Sequence, residues 1–445
     1  MTLVLVILVA YGCGHREAKQ LHFTNRHISD VITQMTDIMV HDVTNPPLAA
    51  RFFSYACLAG YEVIAQHDAG VTSMHAVLNG YPDLKRPDSI RGYSYELAAL
   101  LAMMETARKL QPSGRLFDAF EKNFLDSCQK AGCSKEEIAR SRAYALAVTK
   151  HILIYAKADG YNRISNYTRY TPAETEGAWY PTPPAYIAAV EPYFRAVRPL
   201  TLDSSTQFKP TPPIPFSTEK SSSFYKLMLQ NYNDTLSAKH RMMAAYWDCN
   251  PFAVQDNGHL LVGLKKISPG AHWLGIAGTA CRKAGTNFNT ALQVFSTVSI
   301  GLMDGFICCW EEKYRSNRIR PETAIRNLID PSWTPLLQTP PFPEYLSGHS
   351  TISAASATIL TGFFGEDFHF TDSTEMKYGL GVRAFSSFQQ AAEEAALSRF
   401  YGGIHFMDAI DKGLEQGQKV GAWVLSKTKH TVGTKNNTTA LRGER

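Results

Sequence analysis

Apolar residues recur at helical spacing along most of the chain. Between residues 27 and 42, Ile28, Val31, Ile32, Met35, Ile38 and Met39 fall on one face. Pro46-Pro47 then opens a second helix running through Ala49 to Gln66. The same pattern predicts helices over residues 93–110, 115–129 and 135–158, the last led by Ser134 with Glu137 three residues on, a capping box. Helices resume over 223–248, 274–284, 287–318, 374–396 and 405–426. No alternating run is long enough for a sheet core. The fold class is therefore all-α, helical bundles with a site between helices of the C-terminal half.

Periodicity fails between residues 162 and 222. Proline, threonine and aromatic residues dominate there, as in Trp179-Tyr-Pro-Thr-Pro-Pro184 and Lys209-Pro-Thr-Pro-Pro-Ile-Pro215. Prolines alone would suggest a linker, but disordered linkers are poor in aromatics. The stretch is predicted to be an ordered loop wrapped on the body, lining the entrance to the site.

Four regions follow: 1–20, an apolar leader; 21–265, an N-terminal helical region holding the proline-rich crossover; 266–430, a catalytic helical domain; and 431–445, a polar tail. The leader ends at Cys13 and is too short to span a bilayer. It fits the apolar part of an export signal, and Ala10-Tyr11-Gly12-Cys13 resembles a lipoprotein cleavage box. Cys13 would then carry a lipid anchor and the protein would be exported, periplasmic or held at the membrane. No Lys or Arg precedes the run, and a buried N-terminal strand is the alternative. No later segment is expected to span a membrane, since the apolar run 294–310 is interrupted by Asp304.

Hydrophobic residues make up 44% of the 445 and charged residues 19%, the balance of a globular protein with a substantial core. A net charge of +5 from scattered Lys and Arg argues against a nucleic-acid partner. Cys128 and Cys133 are placed to close a small loop in an oxidising compartment, whereas Cys308-Cys309 lies within an apolar helical run. No cysteine has metal-ligand spacing, and few or no disulfides are expected.

Three blocks carry the candidate chemistry. Ser347-Gly348-His349 follows Pro340, Pro341 and Pro343, which forbid a helix, and precedes a run of small residues that reads as a closely packed helix. Ser347 sits at an N-cap, Gly348 allows close backbone approach, and the N–H groups of residues 347–349 make an anion site. Lys313 and Arg320 are seven residues apart, two helical turns, and are expected on one side of a helix broken by Pro321, with Arg315 and Arg318 facing solvent. Ser398-Arg399 and His405 add a third cation and a second histidine, with Gly402-Gly403 turning the chain between them. With no acidic cluster in the set, the inventory suits a small, highly charged oxyanion such as phosphate or vanadate.

The pattern Lys313, six residues, Arg320-Pro321; then Ser347-Gly348-His349; then Ser398-Arg399, five residues, His405 resembles the signature of the acid phosphatase (type 2 phosphatidic acid phosphatase) and vanadium-dependent haloperoxidase superfamily. The chain departs from it at Leu346, usually proline, and at Ala409, often acidic, so that Asp408 or Asp411 would orient His405. Ala49-Ala50-Arg51 and the Trp-x-Pro-Thr-Pro-Pro crossover extend the resemblance over about residues 25–425, toward the bacterial haloperoxidase-like branch. Trp310, three residues before Lys313, and Phe342, five before Ser347, resemble chloroperoxidase positions or are core aromatics. As a haloperoxidase, the resemblance implies vanadate as cofactor, bound at His405, with halide and hydrogen peroxide as substrates and hypohalous acid as product. His349 would handle a proton, Ser347 would hydrogen-bond an oxygen and Lys313 would polarise peroxide.

As an acid phosphatase, with no cofactor, the chain would use His405 to attack a phosphate ester and His349 to protonate the leaving oxygen. Lys313, Arg320, Arg399 and the Gly348 amide would stabilise the developing charge in that reaction. A non-catalytic, lipid-anchored oxyanion-binding protein is the third reading; it needs neither histidine. Around the site, His272 is either a supporting residue or a satisfied core histidine, and Asp304 is a candidate partner for a site cation.

Overall fold

The helix Phe288–Ser316 organises the molecule: in this computed structural model every residue from Ala291 to Lys313 is buried. A helix apolar all round must be enclosed by others, and five helices of the N-terminal half and four of the C-terminal half surround it directly or at one remove. The structure describes residues 21–256 and 261–428. The leader with Cys13 and the polar tail 431–445, two of the regions expected from the sequence, lie outside the described residues.

In chain order the helices are α1 (Asn25–His41), α2 (Pro46–Ala65), α3 (Tyr95–Leu110), α4 (Phe117–Lys130), α5 (Lys135–Lys157), the single turn α6 (Tyr161–Ile164), α7 (Ser223–Tyr232), α8 (Ala238–Tyr246), α9 (Pro269–Ala284), α10 (Phe288–Ser316), α11 (Pro321–Leu328), α12 (Gly348–Phe364), α13 (Phe388–Tyr401) and α14 (Met407–Thr428). Two short antiparallel ribbons join them: β1 (Val254–Asp256) with β2 (Leu261–Gly263), and β3 (Phe370–Asp372) with β4 (Arg383–Phe385). The chain is all-α in class. One apolar core runs from Phe23 to Val424, across residue 265.

Two boundaries differ from expectation for identifiable reasons. Residues 374–396 do not form one helix, because Phe370 and Phe385 pair across the second ribbon and pack with Phe388 at the start of α13. Residues 223–248 break into α7 and α8, each with its own serine N-cap, Ser222 and Ser237. The helices α2 and α10 are long and apolar enough to cross a membrane by length and composition, contrary to the expectation that no segment after the leader is, yet 89% and 100% of their most apolar windows are buried within the protein. All seven described cysteines are free and buried, Cys128 and Cys133 included.

The crossover is ordered. Trp179 is buried, its amide donates to Asn317 O at 2.9 Å, and Ile319 N donates to Gly177 O at 2.8 Å. Asp304 accepts from Leu200 N at 2.6 Å, Thr201 N at 2.8 Å and the Thr201 hydroxyl at 2.6 Å, so it fastens the crossover to α10 and pairs with no site cation. Burial pushes its carboxyl up to about 6 against these hydrogen bonds.

α12 and α14 meet where glycines of α14 face the backbone and small side chains of α12. A Cβ at Gly417 would lie 2.1 Å from Thr351 O, and one at Gly413 would lie 2.9 Å from Ser347 O. Glycine at these positions, with the small residues of α12, lets the backbones touch and fixes where α12 begins.

Candidate active site

Ser347 caps α12, its hydroxyl oxygen accepting from Ser350 N at 3.3 Å. Its own amide donates to Ala409 O at 3.1 Å. Of the three amides expected to face an anion, Ser347 N is thus committed elsewhere, which leaves those of Gly348 and His349, first-turn groups with no carbonyl available inside the helix. A Cβ at Gly348 would come 3.5 Å from the Trp310 ring and 4.0 Å from Lys313 Cε, filling the space between the helix end and the lysine.

Lys313 and Arg320 do converge, by a different route from the one their spacing suggested. α10 ends at Asn317 in a left-handed conformation (φ 48°), and Arg320 lies extended at the N-cap of α11, so the helical phase between them is lost. Lys313 Nζ donates to Pro343 O at 2.9 Å, Glu344 O at 3.1 Å and Leu346 O, beneath the loop that leads to Ser347. The peptide between Tyr345 and Leu346 is cis. Arg320 donates through Nε to Phe342 O at 2.9 Å and through Nη1 to Ile404 O at 2.8 Å and His405 Nε2 at 3.1 Å. Arg399 donates from Nη1 to Trp247 O at 2.9 Å, and the same carbonyl holds His349.

Loss of helical phase also reverses the expectation for Arg318. It is buried, not solvent-facing: Nε meets Glu344 Oε2 at 2.6 Å, and Nη1 and Nη2 grip Asp408 at 2.6 and 2.7 Å. Arg315 pairs with Glu311 and Glu312 along α10. The carboxylate that orients His405 is neither Asp408 nor Asp411 but Glu344, whose Oε1 accepts from His405 Nδ1 at 2.9 Å and from Phe406 N at 3.0 Å. Asp408 acts on Arg318, and Asp411 is exposed on α14. The sequence does contain a signal for Glu344, a lone charge inside the apolar, proline-bounded run Phe342-Pro-Glu-Tyr-Leu346.

A cavity of about 30 Å³ lies among these groups, with walls that include Trp310, Phe342, Gly348, His349, Arg399 and His405 but not Lys313, Arg320 or Ser347. The crossover contributes none of the lining; the remaining walls come from Cys249 to Phe252 and from Pro46, Pro269, Phe306 and Pro340. The crossover instead props the site from outside, with Val190 O accepting from Trp310 Nε1 at 3.1 Å and from Tyr314 OH at 2.7 Å. Trp310 and Phe342 lie 4.9 Å apart, and Lys313 Nζ sits 5.7 and 5.0 Å from their ring centres, so both aromatics belong to the site. His272 lies one layer behind, stacked on Trp247 at 4.5 Å and bonded to Asp372 at 2.6 Å.

Electrostatically the cavity is prepared for negative charge. Burial pushes Lys313 down to about 7 and Arg320 down to about 9, and it lowers Arg399 as well. His405 falls well below its ordinary range through burial and the cations Arg320 and Lys313; His349 does so through burial, Arg399 and His405. Both imidazoles are neutral. With Nδ1–H of His405 committed to Glu344, its Nε2 carries the lone pair, which accepts from Arg320 Nη1 in this structure and which a ligand to Nε2 would have to take over. Three enclosed polar atoms, Arg320 Nη2, Arg399 Nε and His349 Nε2, have no hydrogen-bond partner. Buried guanidinium donors left this way are costly unless something fills the space; an oxyanion would supply acceptors to Arg320 and Arg399, and a hydroxyl on it could donate to the His349 Nε2 lone pair. Vanadate fits the residues present.

The fold and this cationic, histidine-bearing cavity define an oxyanion enzyme of the haloperoxidase–phosphatase class. The family description "VCPO second helical-bundle domain" matches residues 293–434. A solved bacterial vanadium-dependent iodoperoxidase is similar over 92% of this chain and 98% of its own, at 40% identity and TM-score 0.87. Bacterial vanadium-dependent chloroperoxidases in holo and apo forms share the fold at 15% identity, with TM-scores of 0.67 and 0.64, over 88% of this chain and 94% and 96% of theirs. Among curated proteins none matches. The chain belongs to the vanadium-dependent haloperoxidase family and is an enzyme.

Proposed function

We propose that this protein holds vanadate at His405 and uses hydrogen peroxide to oxidise halide, iodide first, to the hypohalous acid. The observation that carries the reading is the pair of unpartnered buried guanidinium donors, Arg320 Nη2 and Arg399 Nε, at a cavity that also holds two neutral histidines. Vanadate, when bound, activates peroxide toward attack by halide; the protein's part is geometry and charge. Arg320, Arg399, Lys313 and the Gly348 and His349 amides balance the anion, and the Ser347 hydroxyl can donate to an oxygen while accepting from Ser350 N. Glu344 keeps the proton of His405 on Nδ1, so that Nε2 remains a ligand. His349, beside the Trp247 carbonyl and with its Nε2 unpartnered, would take up and return a proton at the cavity side. Trp310, Phe342, Phe306 and the prolines exclude bulk water and confine access to small species. Iodide is favoured because the iodoperoxidase is similar along almost the whole chain and because iodide is the halide most readily oxidised.

The test is halogenation of a phenol dye by protein reconstituted with vanadate, given peroxide and, in separate tubes, iodide, bromide and chloride. Vanadate-dependent turnover, highest with iodide, is expected. Hydrolysis of a chromogenic phosphate ester that vanadate inhibits, with no halide oxidation in any tube, would replace this reading with the phosphatase.

A further inference from the structure

Behind the oxyanion cavity, three residues far apart in the chain bring soft and hard donors together. Cys249 follows α8, His272 lies in the first turn of α9, and Glu375 follows β3; all three are buried. Cys249 Sγ is 3.5 Å from His272 Nδ1 and 3.7 Å from Glu375 Oε1, and His272 Nδ1 is 3.1 Å from Glu375 Oε1. The edges of a tetrahedron around an ion with Zn–N, Zn–O and Zn–S bonds are about 3.3–3.7 Å, so the triangle already has nearly the size the ion requires. The other ring nitrogen of His272 meets Asp372 Oδ2 at 2.6 Å, the carboxylate–histidine arrangement that fixes the tautomer of metal-bound imidazoles.

We propose that Cys249, His272 and Glu375 bind one divalent, borderline-soft metal ion, Zn²⁺ by the donor set, in a site that adjoins the oxyanion cavity and shares only Cys249 with its walls. Glu375 also lines a wider cavity of about 530 Å³ with Asp248, Lys266 and Tyr378, from which water can complete the coordination. On binding, the Cys249 thiol and Nδ1 of His272, an imidazole that Asp372 holds protonated against its burial, each give a proton to solvent, and the remaining His272 proton stays on Nε2 toward Asp372. The ion would tie the segment 247–249 to α9 and to the turn after β3. That segment carries the Trp247 carbonyl, which holds both Arg399 and His349. The metal is thus a strut for the oxyanion site and takes no part in its chemistry.

Elemental analysis of the purified full chain, followed by Co²⁺ substitution after removal of bound metal with a chelator, tests the proposal. About one Zn²⁺ per chain is expected, and the Co²⁺ form should show thiolate-to-cobalt charge-transfer absorption together with the intense visible bands of tetrahedral cobalt. Cys249→Ser should lose the charge-transfer band, and Glu375→Gln should weaken metal retention at least tenfold. If the wild-type chain retains no metal and its Co²⁺ titration gives no thiolate band, the proposal is overturned and the cluster is a hydrogen-bonded thiol–imidazole–carboxylate group. A band that persists in Cys249→Ser overturns it equally, since another cysteine would then be the ligand. The wild-type measurements do not depend on any variant folding, and none of these readouts uses halide oxidation.

Discussion

The two histidines of the cavity are held in opposite ways. His405 is locked: Nδ1 bonds Glu344, Nε2 faces Arg320, and Glu344 is itself gripped by Arg318, which is anchored to Asp408. Among the described residues no carboxylate braces His349, which lies beside the Trp247 carbonyl and has an enclosed Nε2 with no partner. A group that must remain a ligand gains from immobility and a fixed tautomer. A group that must take and return a proton loses if its proton is already committed. One cavity satisfies both needs by bracing one wall and leaving the other free.

Substitutions on the two walls should therefore differ in kind. His405→Ala removes the ligand and is expected to reduce vanadate-dependent halide oxidation by on the order of 10³-fold or more, with vanadate affinity lost in the same titration. His349→Ala should lower turnover by about 10²-fold or more while retaining far more vanadate affinity. Equal loss of affinity in the two variants would erase the distinction. Glu344→Gln keeps the shape of the brace but removes its charge; vanadate affinity should drop about 10–100-fold, measured by activity against added vanadate.

A gentler probe uses Lys313, which titrates near 7 in the fold and near its ordinary value, about 10.4, when unfolded. Across that window the unfolded chain holds more protons, so the anion-free protein gains stability as pH rises. An anion in the cavity favours the charged ammonium and offsets the penalty of burying it. Phosphate at about a hundred times its dissociation constant should contribute about 2.7 kcal/mol, raising the melting temperature by a few degrees near neutral pH and by less at about pH 9. An identical shift at both values would place the anion away from Lys313. The smallest effect belongs to Asp411→Asn: activity within about twofold of wild type, as for an exposed residue away from such features.

Much of this site was readable in the sequence because its ligands sit in short blocks whose local structure is self-determined. Ser347 caps a helix whatever surrounds it; Pro321, expected to break a helix, instead opens α11 after Asn317 has already ended α10. What escaped was whatever depends on where separate turns meet. Arg318 looked solvent-facing because a helical phase was carried past Asn317, where a left-handed residue cancels it. Glu344 was overlooked because its partners lie 26 and 61 residues away, and no periodicity links a loop before one helix to the histidine before another. The ordering of the crossover was legible from its aromatics; its role as an outer prop, with no part in the cavity wall, was not. The Cys249–His272–Glu375 group has no linear spacing at all and exists only after α8, α9 and the second ribbon pack.

The close contact between α12 and α14 has an evolutionary consequence. A side chain at Gly413 would press on Ser347 O and on Ser350 Cβ, 2.9 and 2.7 Å from its Cβ, and so would shift the helix end that presents the anion-binding amides. Selection can thus retune the proposed oxyanion site from the far side of a helix, through a position outside the cavity walls. A library confined to the visible ligands would never sample it.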